Sequence, residues 1–136
     1  MLYQKALVPL DGSDLAECAL SHVKNLLKDG CVGEVTLLTV VGIDRKDFFD
    51  KAKEHLANVK AKLSADAGKV KVEALYGNIA ADCISEYAQK NGTDIIIIAT
   101  HGSSGLTKIM LGSVASSVLQ KSHVPVLLIR PEACFI

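Results

Sequence analysis

The sequence predicts an open, doubly wound α/β fold: a five-stranded parallel sheet of order 3-2-1-4-5 with helices on both faces. Three observations predict it. Short aliphatic runs alternate with helical stripes through nearly all of the 136 residues. Most of those runs are continuous rather than alternating, the pattern of strands covered on both faces. Finally, 49% of residues are hydrophobic but only 4% aromatic, so the core must be aliphatic and thinly layered, as suits helices laid on a sheet.

Taken in order, ALVPL at 6–10 is the first strand. Leu15, Ala19, Val23 and Leu26 then recur at helical spacing, with Ser13 or Asp14 placed to cap the first turn, since a side-chain oxygen satisfies its free amides. EVTLLTVV at 34–41 is the second strand, followed by the stripe Phe49, Leu56, Val59 and Leu63. KVKVEALY at 69–76 is the exception among the strands. There Lys69, Lys71 and Glu73 alternate with Val70, Val72 and Ala74, which predicts one solvated face and an edge position. Asn78 after Gly77 is placed to cap the third helix, whose stripe is Ala80, Ile84, Tyr87 and Ala88. DIIIIAT at 94–100 is the fourth strand, and the last helix is predicted to begin near Gly112 or a turn earlier and to end before His123. VPVLLIR at 124–130 is the fifth; Pro125 lacks an amide proton and indicates an edge or a strand start. No repeat or linker interrupts the pattern, so residues 1–136 read as a single domain.

Charge and composition exclude several classes. Fifteen basic residues balance fifteen acidic ones, and neither sign forms a long run, so the electrostatic footprint of a nucleic-acid binder is missing. No segment approaches the roughly 18 apolar residues of a membrane span, and the N-terminal MLYQKALVPLDGSD lacks a signal-peptide core. A cytoplasmic protein is expected, with neither nucleic acid nor membrane as partner. Cys18, Cys31, Cys83 and Cys134 form no C-x-x-C pair and are expected to be buried free thiols. His22, His55 and His123 show no metal spacing, and His22 and His55 are expected to be partly buried beside helix stripes.

In an open parallel sheet, ligands gather beyond the carboxyl ends of the strands where strand order reverses. The predicted order puts that reversal between strands one and four, so the segments after Leu10 and after Ile98 face one another. The second of these, ATHGSSG at 99–105, leads through LTKIML to Gly112-Ser113. Small residues let backbone amides approach and ring an anion, and a helix starting at Gly112 adds its free N–H groups and positive dipole end. The stretch therefore reads as a phosphate cradle, with Ser116 and Ser117 as solvated helix positions. His101 is either a phosphate donor or a local hydrogen-bonding residue. Asp11, before Gly12-Ser13, has the local chemistry of a turn or cap residue, but its place at the reversal makes it a ligand candidate.

Gly102, nine intervening residues and then Gly112-Ser113 resemble the glycine motif of the nucleotide-binding members of the universal stress protein family. So do VPLDGSDLAECAL, LLTV, YGNIAADCISEYA and SHVPVLLIR, and together they cover nearly the whole chain. One position departs: Ala99 stands where the motif has its first glycine. The resemblance implies an adenine nucleotide alpha hydrolase-like fold that binds ATP, or ADP or AMP, with Mg²⁺ held by the phosphates. It further implies that Pro9 and Asp11 line the adenosine side, that Val40 lies against the base, and that Ile98 and Ala99 border it. Gly102, Gly112, Ser113 and Val114 match the phosphate positions, beside His101. Should position 99 require positive φ, the Ala99 methyl would be costly there.

No P-loop motif and no complete G-x-G-x-x-G is present, which disfavours P-loop enzymes and dinucleotide dehydrogenases. Catalytic groups near the loop are sparse, and Lys108 is its only cation. A nucleotide-binding stress-response regulator with an unidentified protein partner is therefore favoured, with a slow ATPase or a scaffold lacking nucleotide as alternatives. The edge at residues 124–130 also invites pairing with a second copy, so a homodimer through the fifth strand is expected.

Overall fold

The computed structural model describes residues 2–11, 19–63, 69–99 and 112–130. Strands and helices alternate along them: β1 (Tyr3–Pro9), α1 (Ala19–Lys28), β2 (Val32–Val41), α2 (Asp47–Lys62), β3 (Val70–Tyr76), α3 (Ala80–Lys90), β4 (Ile95–Ala99), α4 (Ser113–Lys121) and β5 (Val126–Ile129). The five strands form one sheet of order β3-β2-β1-β4-β5, all paired in parallel. The predicted order is the observed one.

Strand alternation divides the core into two layers. Ala6 and Val8 of β1 and Val35 and Leu37 of β2 point to one face, where they meet Val23 and Leu27 of α1 and Leu56 and Val59 of α2. Leu7 and Leu38 point to the other, against Ile84 and Ala88 of α3 and Ala115 and Val118 of α4. Each fully buried Leu or Ile contributes roughly 1.5–3 kcal/mol of transfer free energy. The branched β-strand residues and the helix stripes thus close on two aliphatic layers, as the low aromatic content requires. At the boundary of the second layer, the buried Thr36 is hydrogen-bonded to the Tyr87 hydroxyl.

Both outer strands are edges. On β3, Lys71 and Glu73 are exposed while Val70 is buried, and Lys71 pairs with Glu34 of β2 at 3.1 Å. On β5, Leu127 is exposed and Ile129 buried; Pro125 stands just before the strand, and its carbonyl accepts from the Ile96 amide at 3.0 Å.

Two expectations need correction. Asn78 is not the cap of α3: that position falls on Ile79, whose backbone is extended (φ −122°, ψ 110°) and which supplies no side-chain cap bond. The Cys83 amide donates to the Ile79 carbonyl at 3.2 Å, so the helix starts one residue later than turn chemistry suggested. Cys31 and Cys83 are free but only half-buried, because both sit near element ends rather than within a layer. The capping candidates Ser13 and Asp14, together with Cys18 and Cys134, lie outside the described residues.

Candidate functional site

The site is built where β1 and β2 end. Beyond Pro9, the Leu10 amide still donates to the Leu38 carbonyl at 2.8 Å, which carries the pairing one residue further and delivers Asp11, exposed, to the rim. Beyond β2, the chain turns through Gly42. The Arg45 amide donates to the Gly42 carbonyl at 2.9 Å and the Phe48 amide to the Arg45 carbonyl at 3.0 Å, winding the chain into α2. Asp47 and Asp50 in that first turn complement its positive dipole end.

These turns enclose a cleft of about 390 Å³ lined by Asp11, Thr39, Val40, Val41, Arg45 and Phe48, among others. Its polarity is graded. Thr39 is 9% exposed and Val41 7%, forming the deep end, whereas Asp11, Arg45, Phe48 and Lys51 are exposed at the mouth. The Arg45 guanidinium lies 4.2 Å over the Phe48 ring centroid and the Lys51 ammonium 5.4 Å from it. Each such contact contributes on the order of 0.5–1 kcal/mol at an exposed site, enough to bias the cations toward the mouth. Behind the cleft, Phe49 stacks on Tyr76 with centroids 4.3 Å apart.

On the other side of β1 stands β4, paired through Ala6 with Ile95 and Leu7 with Ile96, so the reversal of strand order falls between β1 and β4. At the end of β4, Ile98 points into the α3/α4 layer, and Ala99 is half-buried against the α1/α2 layer. Gly112 is the N-cap of α4, with φ −64° and ψ 162°, and its carbonyl accepts from the Ser116 amide at 2.8 Å. The amides of Ser113, Val114 and Ala115 therefore have no carbonyl within the helix. Because β4 and β5 are parallel, α4 must run back against them, which puts this first turn at the same sheet edge as Asp11. Ser113 and Val114 are exposed there.

The structure thus brings Asp11 and Val40 into one cleft, whereas Pro9, paired with Leu38, and Ile98, Ala99, Gly112, Ser113 and Val114 are not among the described residues that line it. His101 and Gly102 lie outside the described residues. Sequence reasoning missed Thr39, Arg45, Phe48 and Lys51. A signal for them exists: Thr39 shares its strand face with Leu37 and Val41, and residues 48, 51, 52 and 55 recur on the α2 face turned to that strand end.

Val40 also touches the turn after β3. A Cβ placed on Gly77 would lie 2.1 Å from Cys83 Sγ and 3.3 Å from Val40 Cγ1. Burial, followed by the nearby carboxylates of Glu86 and Asp82, pushes the Cys83 thiol above its usual value, which makes it a weak nucleophile. Among the described residues, no three His, Cys, Asp or Glu side chains gather where they could hold a metal ion, and no helix is long and apolar enough to cross a membrane.

A parallel sheet with its strand reversal between β1 and β4, a cleft where β1 and β2 end against α2, and a helix N-terminus at the same end of the sheet defines the class of small doubly wound α/β domains. Within it, the chain belongs to the universal stress protein family, whose sequence profile matches residues 2–130. It is 34% identical to universal stress protein MJ0577 of Methanocaldococcus jannaschii, with 96% of each chain covered. It is 33% identical to universal stress protein YxiE of Bacillus subtilis, covering 95% of this chain and all of that one. The solved structure of MJ0577 superposes with a TM-score of 0.80 at 36% identity, over 96% of this chain and 97% of the other. The universal stress protein from Archaeoglobus fulgidus, solved in complex with dAMP, superposes with a TM-score of 0.74 at 25% identity, over 95% and 99%.

Proposed function

We propose that this chain is a cytoplasmic regulatory protein of the stress response that binds an adenine nucleotide at the carboxyl edge of its sheet, between β1 and β4. The observation that carries this reading is the graded cleft where β1 and β2 end, next to the strand that borders the reversal. Its deep end is mostly aliphatic and suits the faces of a planar base, Asp11 at the mouth can accept from a ribose hydroxyl, and the free amides of α4 suit an anion. The dAMP complex of the Archaeoglobus fulgidus relative supports adenine nucleotides as the ligand class. ATP, with Mg²⁺ held by its phosphates, is the favoured ligand, with ADP and AMP as shorter members of the series. In this arrangement Pro9, Asp11 and Val40 contact the nucleoside, Ile98 and Ala99 shape the wall toward β4, and His101, Gly102, Gly112, Ser113 and Val114 hold the phosphates.

Calorimetry with ATP, ADP and AMP in the presence of Mg²⁺ tests it. Wild type should bind at least one of them, Asp11→Ala should weaken all three alike, and Gly112→Val should weaken ATP more than AMP. At φ −64° any residue fits position 112, so this variant tests the approach of a phosphate rather than backbone strain. Absence of binding at millimolar nucleotide, or full affinity in Gly112→Val, overturns the reading.

The signalling output in this reading passes through a homodimer formed on β5. Leu127 and the α4 residue Leu119 are exposed beside that edge, and two edges related by a two-fold axis can satisfy each other's unpaired backbone groups.

A further inference from the structure

Thr39 is one of the few polar residues buried among the described residues, and its Oγ1 finds no hydrogen-bond partner there. Its strand neighbours on the same face are aliphatic. Val35 and Leu37 are fully buried against α2, and Val41 is nearly so. A valine here would have the same shape and complete the layer. A hydroxyl instead carries a desolvation cost when left unpaired, and a buried group left so in a folded protein calls for a partner. Thr39 lines the cleft, at the deep end described above. The hydroxyl is closed off as the side chain stands, and a turn about χ1 would offer it to a group that enters that cleft.

We infer that the Thr39 hydroxyl hydrogen-bonds the edge of the ligand's base and so positions the base between β2 and α2. This rests on the nucleotide reading above. The gradation of the cleft selects the base over the sugar or phosphate. The charged groups Asp11, Arg45 and Lys51 all stand at the mouth, where ribose and phosphates stay solvated. Away from the mouth, Val40, Val41 and Ala52 line the cleft with Thr39 and the half-buried His55, a lining that suits a flat, weakly hydrated moiety with a polar edge. A hydroxyl both donates and accepts, so it can meet either kind of atom on that edge.

Thr39→Val and Thr39→Ser separate this role from a structural one. In calorimetry, Thr39→Val should weaken ATP, AMP and adenosine by the same factor, about threefold to tenfold, the range of one neutral hydrogen bond. Thr39→Ser, which keeps the hydroxyl, should stay within about twofold of wild type. The loss should also be the same for the 2′-deoxy and 3′-deoxy nucleosides, and the ligand-free thermal midpoint of Thr39→Val should equal or exceed that of wild type. Wild-type binding with an unchanged Thr39→Val affinity overturns the inference and leaves the nucleotide reading standing. A loss that disappears with one deoxy nucleoside moves the bond to the ribose and overturns the base assignment. A lowered midpoint without ligand makes the hydroxyl structural and overturns it too. If wild type binds no nucleotide, the nucleotide reading fails and this inference falls with it.

Discussion

Replacing Gly77 with alanine should destabilise the fold through one contact, and removing that contact should reverse the effect. The added Cβ would lie 2.1 Å from Cys83 Sγ, far inside any tolerated separation, and 3.3 Å from Val40 Cγ1, where the neighbour must give by a few tenths of an ångström. Gly77 is not among the glycines with positive φ, which are Gly30 and Gly92, so backbone strain makes no contribution. Overpacking of this kind costs about 1–3 kcal/mol. Against it stands a gain of about 0.4–1 kcal/mol from the stiffer unfolded chain. The net expectation for Gly77→Ala is a loss of about 1–2 kcal/mol, or a fall of about 3–8 °C in thermal midpoint for a chain of this size. In a Cys83→Ala background the sulfur is gone and the nearest remaining Cys83 atom, Cβ, is at 3.6 Å. There the same substitution should be neutral or stabilising. Urea unfolding of wild type, both single variants and the double variant measures the coupling, expected at about 1–2 kcal/mol. Additive effects, with Gly77→Ala costing the same in both backgrounds, would refute the reasoning and show that Cys83 simply rotates away.

Burial, then the charge of Glu73, holds the Tyr87 phenol above its usual value of 10.0. The unfolded chain therefore releases this proton first, and stability present below about pH 10 is lost as pH rises from there through the folded value. Tyr87→Phe should flatten the alkaline decline in urea midpoint between about pH 9 and 11, and at neutral pH should lose about 0.5–1.5 kcal/mol with the Thr36 bond. Leu127→Lys should shift a particle of about twice 14.5 kDa toward the monomer mass in light scattering; a wild type already at 14.5 kDa rules out the β5 dimer. Ile129→Lys is the wrong test of that edge, since Ile129 is 6% exposed and its replacement should unfold the chain. Ile97→Ala, at a position with no exposure, should cost about 2–5 kcal/mol, whereas Lys121→Ala, which breaks a half-exposed pair with Asp82, should cost less than about 1 kcal/mol. Chemical unfolding ranks the two, and a larger loss for Lys121→Ala would contradict the layered-core account.

The amino-acid order by itself determined the strands, the helix stripes and the strand sequence in the sheet, because each rests on periodicity. Ile95 to Ile98 reads as a strand covered on both faces, and the alternation of Lys71 and Glu73 with Val70 and Val72 reads as a strand with one solvated face, placed at an edge. Asp11 and Gly112 were legible for a related reason, since each stands where an element ends and the topology tells which end faces which. Tertiary structure alone decided the rest. Thr39 is an ordinary strand residue by pattern. It becomes a buried hydroxyl at the floor of a cleft only when Arg45 and Phe48 fold over the end of β2 and α2 lies against that face. Asn78 reads as a cap by its chemistry, yet the first helical hydrogen bond, from the Cys83 amide to the Ile79 carbonyl, gives the cap position to Ile79. Periodicity reports which face of an element is covered; it carries no information about which atoms of two distant segments meet, and that meeting is what makes the site.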